Sequence, residues 1–454
     1  MGERRGDIIE QSDAGEIGQG GQPEWLQERL EWFQDMKFGL FLHWGIYCQW
    51  DCCESWPLVE VDDWSRPDHL KCWTERDRDF ARFTRDYRAL NRTFNPVDFD
   101  PAIWAEAAGY AGMKYVTFTS KHHDGFCMWD TGTTDYRITH ADCPFHADPR
   151  ADIARGVFDA FRARDLAISC YFSKSDWHVP YYWSPDWPAK TRNPNYDTHA
   201  LPELWEKFVQ YTHRQIEELM SGYGPIDALW LDGGQVRPPD QNIRMDEIAA
   251  MGRRHQPGLL VADRTVGGPH ENFVTPEQTI PDAPLEATWE SCLTMGHSWK
   301  YVPDDRCKPT GELIRMLVEV VAKGGNLLLG TGPTPQGTLT DEALGRLREI
   351  GDWMQVNSEA IYGTRPIAPY RNGEVFFTCK GERVYAICFA DEPPAEIAWS
   401  GLRPAEGVSM QLLGQERELE WRDEDGKVRG RLSSEMRNAV PVEGPWVLEF
   451  MGRV

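Results

Sequence analysis

Short, fully apolar runs alternate along this chain with longer amphipathic stretches, and that alternation narrows the fold more than any other feature. The runs are KFGLFLHWG from Lys37, KYVTFTS at 114–120, LAISCYFS at 166–173, IDALWLD at 226–232, LLVADR at 259–264, a shorter TWESC at 288–292 and NLLLGTGP at 326–333. A strand that is apolar on both faces must be covered on both, which calls for a parallel sheet wrapped by helices. Helices are predicted between the runs. One is opened by Pro101 and puts Ile103, Trp104, Ala107 and Ala108 on one face; others lie near 152–164, 203–221, 243–254 and 312–325, the last closed by glycine. A final helix near 340–356 carries Leu344, Leu347, Ile350 and Met354 on one stripe. Six or seven such units in about 330 residues favour a closed (β/α) TIM-like barrel over an open doubly wound sheet. No glycine fingerprint for a dinucleotide and no phosphate loop follows the early strands.

Beyond about residue 365 the pattern changes to short strand candidates, VFFTCK, RVYAICFA, SMQLLG, LEWRD and WVLEF, with no helical pattern between them. A small all-β sandwich is expected there. The chain of 454 residues thus divides into a polar N-terminal tail (1–24), a barrel domain (25–362) and a C-terminal β-sandwich domain (363–454).

Composition removes candidates more than it adds them. Lysine and arginine total 48 against 72 acidic residues, a formal charge of -24 that repels phosphate backbones, so nucleic acid is not an expected partner. The eleven cysteines are irregularly placed and lack zinc-site spacing, which suits a reduced chain better than a disulfide scaffold or a metal centre. The opening MGERRGDIIEQSDAGEIGQGG is polar, without the apolar core of a signal peptide, and no segment has the length of a membrane span. A cytoplasmic location is expected on that basis, with no membrane partner; a homo-oligomer is compatible with the sequence. Twenty tryptophans are a heavy load, most of them core and a minority available to stack on ligand.

In a barrel the chemistry sits where strands finish. Here nearly every strand ends in ionisable or aromatic polar groups: His43 and Trp44, Lys121 to Asp124, Tyr171, Trp230 and Asp232, Arg264, and Glu290 in the tail of the sixth. That convergence points to an enzyme. Asp232 leaves an apolar strand directly before Gly233 and Gly234, so a ligand can approach it closely; the competing reading is a turn aspartate bonded to its own backbone. Regular alternation is taken to put Trp230 on the opposite face from Asp232. His122 and His123 in SKHHDGF suit hydroxyl binding, since as metal ligands they lack a third partner at familiar spacing. His43 is read as a rim residue rather than a core histidine, and Arg264 as either a salt bridge or a binding fork. Glycosidic cleavage needs one ionised and one protonated carboxyl on opposite sides of the anomeric carbon. The second is offered by Glu277 in TPEQ or Glu290 in TWESC.

At these residues the chain resembles the alpha-L-fucosidases of glycoside hydrolase family 29. The stretches that carry the resemblance are WFQDMKFGLFLHWGIY, FDPAIWAEAAGYAGMKYVTFTSKHHDGFCMWD, YFSKSDWH, ALWLDGG, VADR, TPEQ, TWESC with the following SWKY, and VAKGGNLLLGTGP, in family order over roughly residues 30–355. The resemblance implies a barrel with a C-terminal β-sandwich and a retaining, exo-acting hydrolysis of terminal alpha-L-fucose from a fucosylated glycan, with no cofactor or metal. It implies Asp232 as nucleophile, Glu277 as the favoured acid/base with Glu290 as the alternative, and sugar contacts from His43, His122, His123, Tyr171, Trp230 and Arg264. The rival readings are a non-catalytic glycan-binding protein on the same scaffold and a hydrolase of alpha-L-galactosides. Two departures stand out. Gly330 occupies a position where many relatives have asparagine, and the usual loop after the first strand is replaced by CQWDCCESWPLVEVDDW and an insertion reaching about residue 90, in which Trp56 is expected to take over the aromatic that closes over the sugar.

Overall fold

The computed structural model describes residues 23–390, 395–415, 418–438 and 444–452. The polar N-terminal tail therefore lies, through residue 22, outside the described residues, and the expectation of a cytoplasmic location rests on it. No helix among the described residues is long and apolar enough to cross a membrane.

The first domain opens with helix α1 (Glu24–Met36) and strand β1 (Phe38–Leu42), followed by a long excursion containing α2 (Lys71–Thr74) and α3 (Phe80–Arg88). Alternation then sets in: α4 (Pro101–Tyr110), β2 (Tyr115–Lys121), α5 (Ile153–Arg162), β3 (Ala167–Ser173), α6 (Pro202–Gly222), β4 (Ala228–Asp232), α7 (Met245–His255), β5 (Leu260–Asp263), β6 (Glu290–Thr294), α8 (Thr310–Ala322), β7 (Asn326–Thr331) and α9 (Asp341–Asn357). Caps mark several boundaries. Asp100, Asp152 and Thr340 each accept a backbone N–H of the first turn of α4, α5 and α9, which satisfies donors that the helix itself cannot. The face of α4 differs from expectation. Trp104, Ala105 and Ala108 are buried while Ile103 is 53% exposed, because the register of the buried stripe starts one residue later.

The seven strands form one parallel sheet in the order β5-β4-β3-β2-β1-β7-β6. Between its ends β5 and β6 there is no eighth strand among the described residues; an irregular strap, residues 271–278, fills the gap. The strap bonds to both neighbours. Asn272 N donates to Val261 O (2.8 Å) and Val261 N to Asn272 Oδ1 (2.8 Å), while on the other side Val274, Glu290, Cys292 and Gln278 exchange backbone hydrogen bonds. A side-chain oxygen thus takes an N–H that an eighth strand would have taken. Inside, Phe41, Tyr115, Tyr171, Trp230, Ala262, Cys292 and Leu328 pack against one another, and Leu26, Leu30 and Phe33 of α1 belong to the same cluster.

The second domain has a six-stranded antiparallel sheet, built from β8 (Arg365–Asn372), β9 (Val375–Lys380), β10 (Arg383–Cys388), β12 (Met410–Leu412), β13 (Glu418–Leu419) and β16 (Trp446–Met451). A three-stranded antiparallel sheet of β11 (Glu396–Ser400), β14 (Trp421–Glu424) and β15 (Lys427–Arg431) faces it. Trp399 of β11 stacks on Phe450 of β16 at 5.9 Å and meets Phe377 of β9 edge-on. The strands β8, β11 and β15 and the short helix α10 (Ser434–Asn438) escaped the sequence pattern; RPIAPYRN and KVRGR are too polar to read as strands. Period-two alternation divides the large sheet. Phe377, Val384 and Leu448 belong to the sandwich core, whereas Phe376, Ile387 and Val447 join the core of the barrel domain.

Candidate active site

Asp232 is the last residue of β4, at the C-terminal end of the sheet. Its Oδ1 accepts from Arg264 Nη1 (2.9 Å) and from the N–H of Gly233 (2.8 Å), and its Oδ2 accepts from the Tyr171 hydroxyl (2.6 Å). Gly233 has φ +87°, a left-handed conformation that glycine adopts without a side-chain clash. Burial by itself would favour the protonated acid, but the Arg264 charge, the histidines and the tyrosine donor outweigh it and hold the carboxyl well below the usual carboxylate range. Asp232 does bond its own backbone through Gly233, but a side chain 21% exposed that also takes Arg264 and Tyr171 is more than a turn aspartate.

Arg264, directly after β5, is a fork. Its second arm, Nη2, donates to Glu277 Oε2 (2.8 Å), its Nε donates to Thr275 Oγ1 (2.8 Å), and its plane lies over the Trp230 indole (4.1 Å). One buried guanidinium therefore brackets two carboxylates, Asp232 from a strand and Glu277 from the strap. Glu277 is 35% exposed and reaches the rim.

Glu290 lies elsewhere. It is the first residue of β6, not its tail, and is 1% exposed inside the barrel below the rim. Tyr115 donates to its Oε2 (2.5 Å) and Trp230 Nε1 to its Oε1 (3.0 Å), yet burial dominates and raises its pKa to about 7. The strand starts two residues later than TWESC suggested, which moves Glu290 from the chemical end to the base. Trp230 also corrects an expectation. Residues 230 and 232 are two apart, so strand alternation puts both inside the barrel, where Trp230 supports Arg264 from beneath and is 1% exposed.

The three histidines border Asp232. His123 Nδ1 is within hydrogen-bond distance of Ser173 Oγ (2.6 Å) and Ser175 Oγ (3.0 Å), which leaves Nε2 3.6 Å from Asp232 Oδ2. His122 Nδ1 meets Ser55 Oγ (2.5 Å), and its ring stacks parallel on Tyr171 at 5.9 Å. His43 stacks on Trp299 at 5.0 Å. His43 Nδ1 and His123 Nε2 make no hydrogen bond among the described residues. Desolvation lowers all three, His43 to about 3 and His123 to about 4, so the rings are neutral at neutral pH and each can donate through one nitrogen and accept through the other.

His122, His123 and Asp232 present ligand atoms within 4.8 Å of one another, so the third partner that spacing failed to reveal is Asp232. Both oxygens of that carboxylate already accept hydrogen bonds, and the fixed charge of Arg264 opposes a second cation there.

Trp56, in the loop after β1, stands edge-on to His123 (4.9 Å) and Trp177 (5.7 Å) and lies under the Arg192 guanidinium (4.5 Å). Sequence reasoning missed Trp299, although it stands in SWKY; its position depends on the loop after β6 folding back over β1. It also accounts for Gly330. A Cβ at residue 330 would come within 2.7 Å of the Trp299 ring, so the missing side chain makes room for the indole.

A parallel barrel with a bracketed pair of carboxyls at its C-terminal rim and a lining of neutral histidines and aromatics is the site of a glycoside hydrolase. Residues 19–359 match the model of the Alpha-L-fucosidase family. The chain is 27% identical to the tissue alpha-L-fucosidase of Rattus norvegicus, over 94% of this chain and 92% of that one, and 30% identical to a putative alpha-L-fucosidase of Caenorhabditis elegans over 76% and 70%. Among solved structures it resembles alpha-L-fucosidase isoenzyme 1 from Paenibacillus thiaminolyticus, with a TM-score of 0.76 and 30% identity over 95% of this chain and 100% of that one. The Thermotoga maritima alpha-fucosidase in complex with fucose also gives 0.76, at 25% identity over 95% and 99%. The chain belongs to the alpha-L-fucosidase family, glycoside hydrolase family 29.

Proposed function

We propose that Asp232 and Glu277 carry a retaining hydrolysis of terminal alpha-L-fucosides, Asp232 as nucleophile and Glu277 as acid/base. The observation that supports this most is the Arg264 fork, which brackets the two carboxyls across one guanidinium. Retaining enzymes work with the pair about 5–5.5 Å apart, whereas inversion needs room for a water between them. In the first step an Asp232 oxygen bonds to the anomeric carbon, the glycosidic bond breaks, and the leaving oxygen takes the proton of Glu277. In the second, Glu277 removes a proton from water, the water oxygen bonds to the same carbon, and the ester opens to regenerate Asp232. Two inversions at one carbon give net retention.

His43 Nδ1 and His123 Nε2 suit the sugar hydroxyls, and the Trp299 indole over His43 suits an apolar edge such as a 6-methyl group. Glu290 is assigned no step, because it has no exposed surface through which to reach a leaving group.

The test uses an aryl alpha-L-fucoside and the corresponding alpha-L-galactoside, with the anomer released first followed by NMR. Release of the alpha anomer, preference for the fucoside, and a loss of about 10³-fold or more in kcat for Asp232→Asn are expected. An asparagine variant that turns over at wild-type rate would remove the nucleophile assignment.

A further inference from the structure

The loop after β1 carries an aromatic path outward from the site. His123, beside Asp232, meets the edge of Trp56 at 4.9 Å, and Trp56 meets Trp64 at 6.1 Å. Trp56 is hemmed in by His123, Trp177, Arg192 and Trp64, but Trp64 is 50% exposed. The loop that carries it is tied down by several hydrogen bonds. Asp62 accepts two hydrogen bonds from Arg192 (2.8 and 3.1 Å), and Val61 N donates to Lys190 O (3.1 Å). Arg66, 8% exposed, donates to the carbonyls of Pro57, Val59 and Glu60, and Ser65 Oγ donates to Asp62 O (2.5 Å). The backbone around Trp64 is therefore held, and its half-exposed indole lies two ring-to-ring steps from His123. A rigid aromatic face loses little entropy when it meets a ligand, and a pyranose offers it an apolar face.

We propose that Trp64 is the platform of a leaving-group subsite, stacking on the sugar next to the scissile bond so that fucosyl oligosaccharides are favoured over fucosides with small leaving groups. The proposal rests on the hydrolysis assigned above to Asp232 and Glu277. It adds a specificity-determining residue from the insertion in which this chain departs from the family pattern.

The test compares wild type, Trp64→Ala and Trp64→Phe on alpha-L-fucosyl fluoride, whose leaving group is a single atom, and on a fucosylated trisaccharide. For Trp64→Ala we expect kcat/KM to stay near the wild-type value with the fluoride and to fall about tenfold with the trisaccharide, mainly through KM. Trp64→Phe should recover most of that loss, and the melting temperature should not move. Equal losses on both substrates, or no loss on the trisaccharide, would overturn the subsite while leaving the hydrolysis intact. Wild-type protein inert toward the fluoride would overturn the hydrolysis itself, and the subsite with it.

Discussion

At the residue scale, two glutamates with opposite surroundings separate structural from chemical roles. Glu277→Gln should depress kcat/KM by roughly 10²–10⁴ for fucosides with poor leaving groups and far less for the fluoride, which needs no proton. Added azide should restore turnover on the fluoride, because the anion bonds to the anomeric carbon without needing a base as the ester to Asp232 breaks, releasing the fucosyl azide. Glu290→Gln should show the wild-type dependence on leaving group, and its signature is instead in stability. The buried acid keeps its proton up to about 7, whereas its ordinary value is 4.5. Its contribution to folding is thus fully present below 4.5 and is lost as pH rises through about 7. Glutamine has no proton to lose. The melting temperature of Glu290→Gln relative to wild type should climb across that interval and level off above it; a constant offset would contradict the assignment. These two residues also mark how far the sequence could be read. Asp232 was legible because an apolar strand ending in Asp-Gly-Gly is a local pattern. The choice of second carboxyl was open on the residues alone and leaned to Glu277 only through the resemblance, because Glu277 owes its place to a strap without periodicity and Glu290 was displaced by a two-residue error in where β6 begins.

At the scale of elements, the strap decides the geometry of the site. Asn272, 4% exposed, satisfies the buried N–H of Val261, accepts from Arg253 Nη2 (3.1 Å) and donates to Pro269 O (3.0 Å). Asn272→Ala leaves a buried donor of β5 without its acceptor, at a cost of about 1–3 kcal/mol. Chemical denaturation should register that loss, and turnover should fall further than Asp232 chemistry alone predicts, because Glu277 rides on the same segment. An unchanged denaturation midpoint would mean that the strap does not close the sheet. The helices α4 to α9 and the seven strands were readable within a few residues, since their burial is periodic, whereas α1, α2 and α3 were not assigned. The strap, the Trp299 loop and the serines that orient the histidines were not, since each is fixed by partners distant in sequence, such as Ser55 with His122.

At the scale of the whole molecule, the six-stranded sheet belongs to two cores at once. Arg315 of α8 covers Phe389 (4.1 Å), Trp353 of α9 donates to Pro445 O (2.9 Å), and Thr378 Oγ1 donates to Ala360 O (2.8 Å). A shared apolar interface of this kind couples the unfolding of its two sides. Calorimetry should show one transition for the intact chain, and a chain ending after residue 362 should aggregate because α8 and α9 lose their cover; two separated transitions would refute the coupling. Most of the large sheet, all but β8, was visible in the sequence. Its docking face was not, because apolar residues on both sides of a strand do not say which neighbour each side meets.

The gap between β5 and β6 has a consequence for how such an enzyme can change. Seven staves of the wall are locked to their neighbours by repeating backbone ladders, so moving one disturbs all. The eighth place is taken by an irregular strap, fastened by scattered backbone bonds and a few side chains, and it carries Glu277, the proposed proton donor. Single substitutions there can shift the donor by fractions of an ångström while the nucleophile stays anchored, which makes that seam the place to retune the enzyme toward a new leaving group.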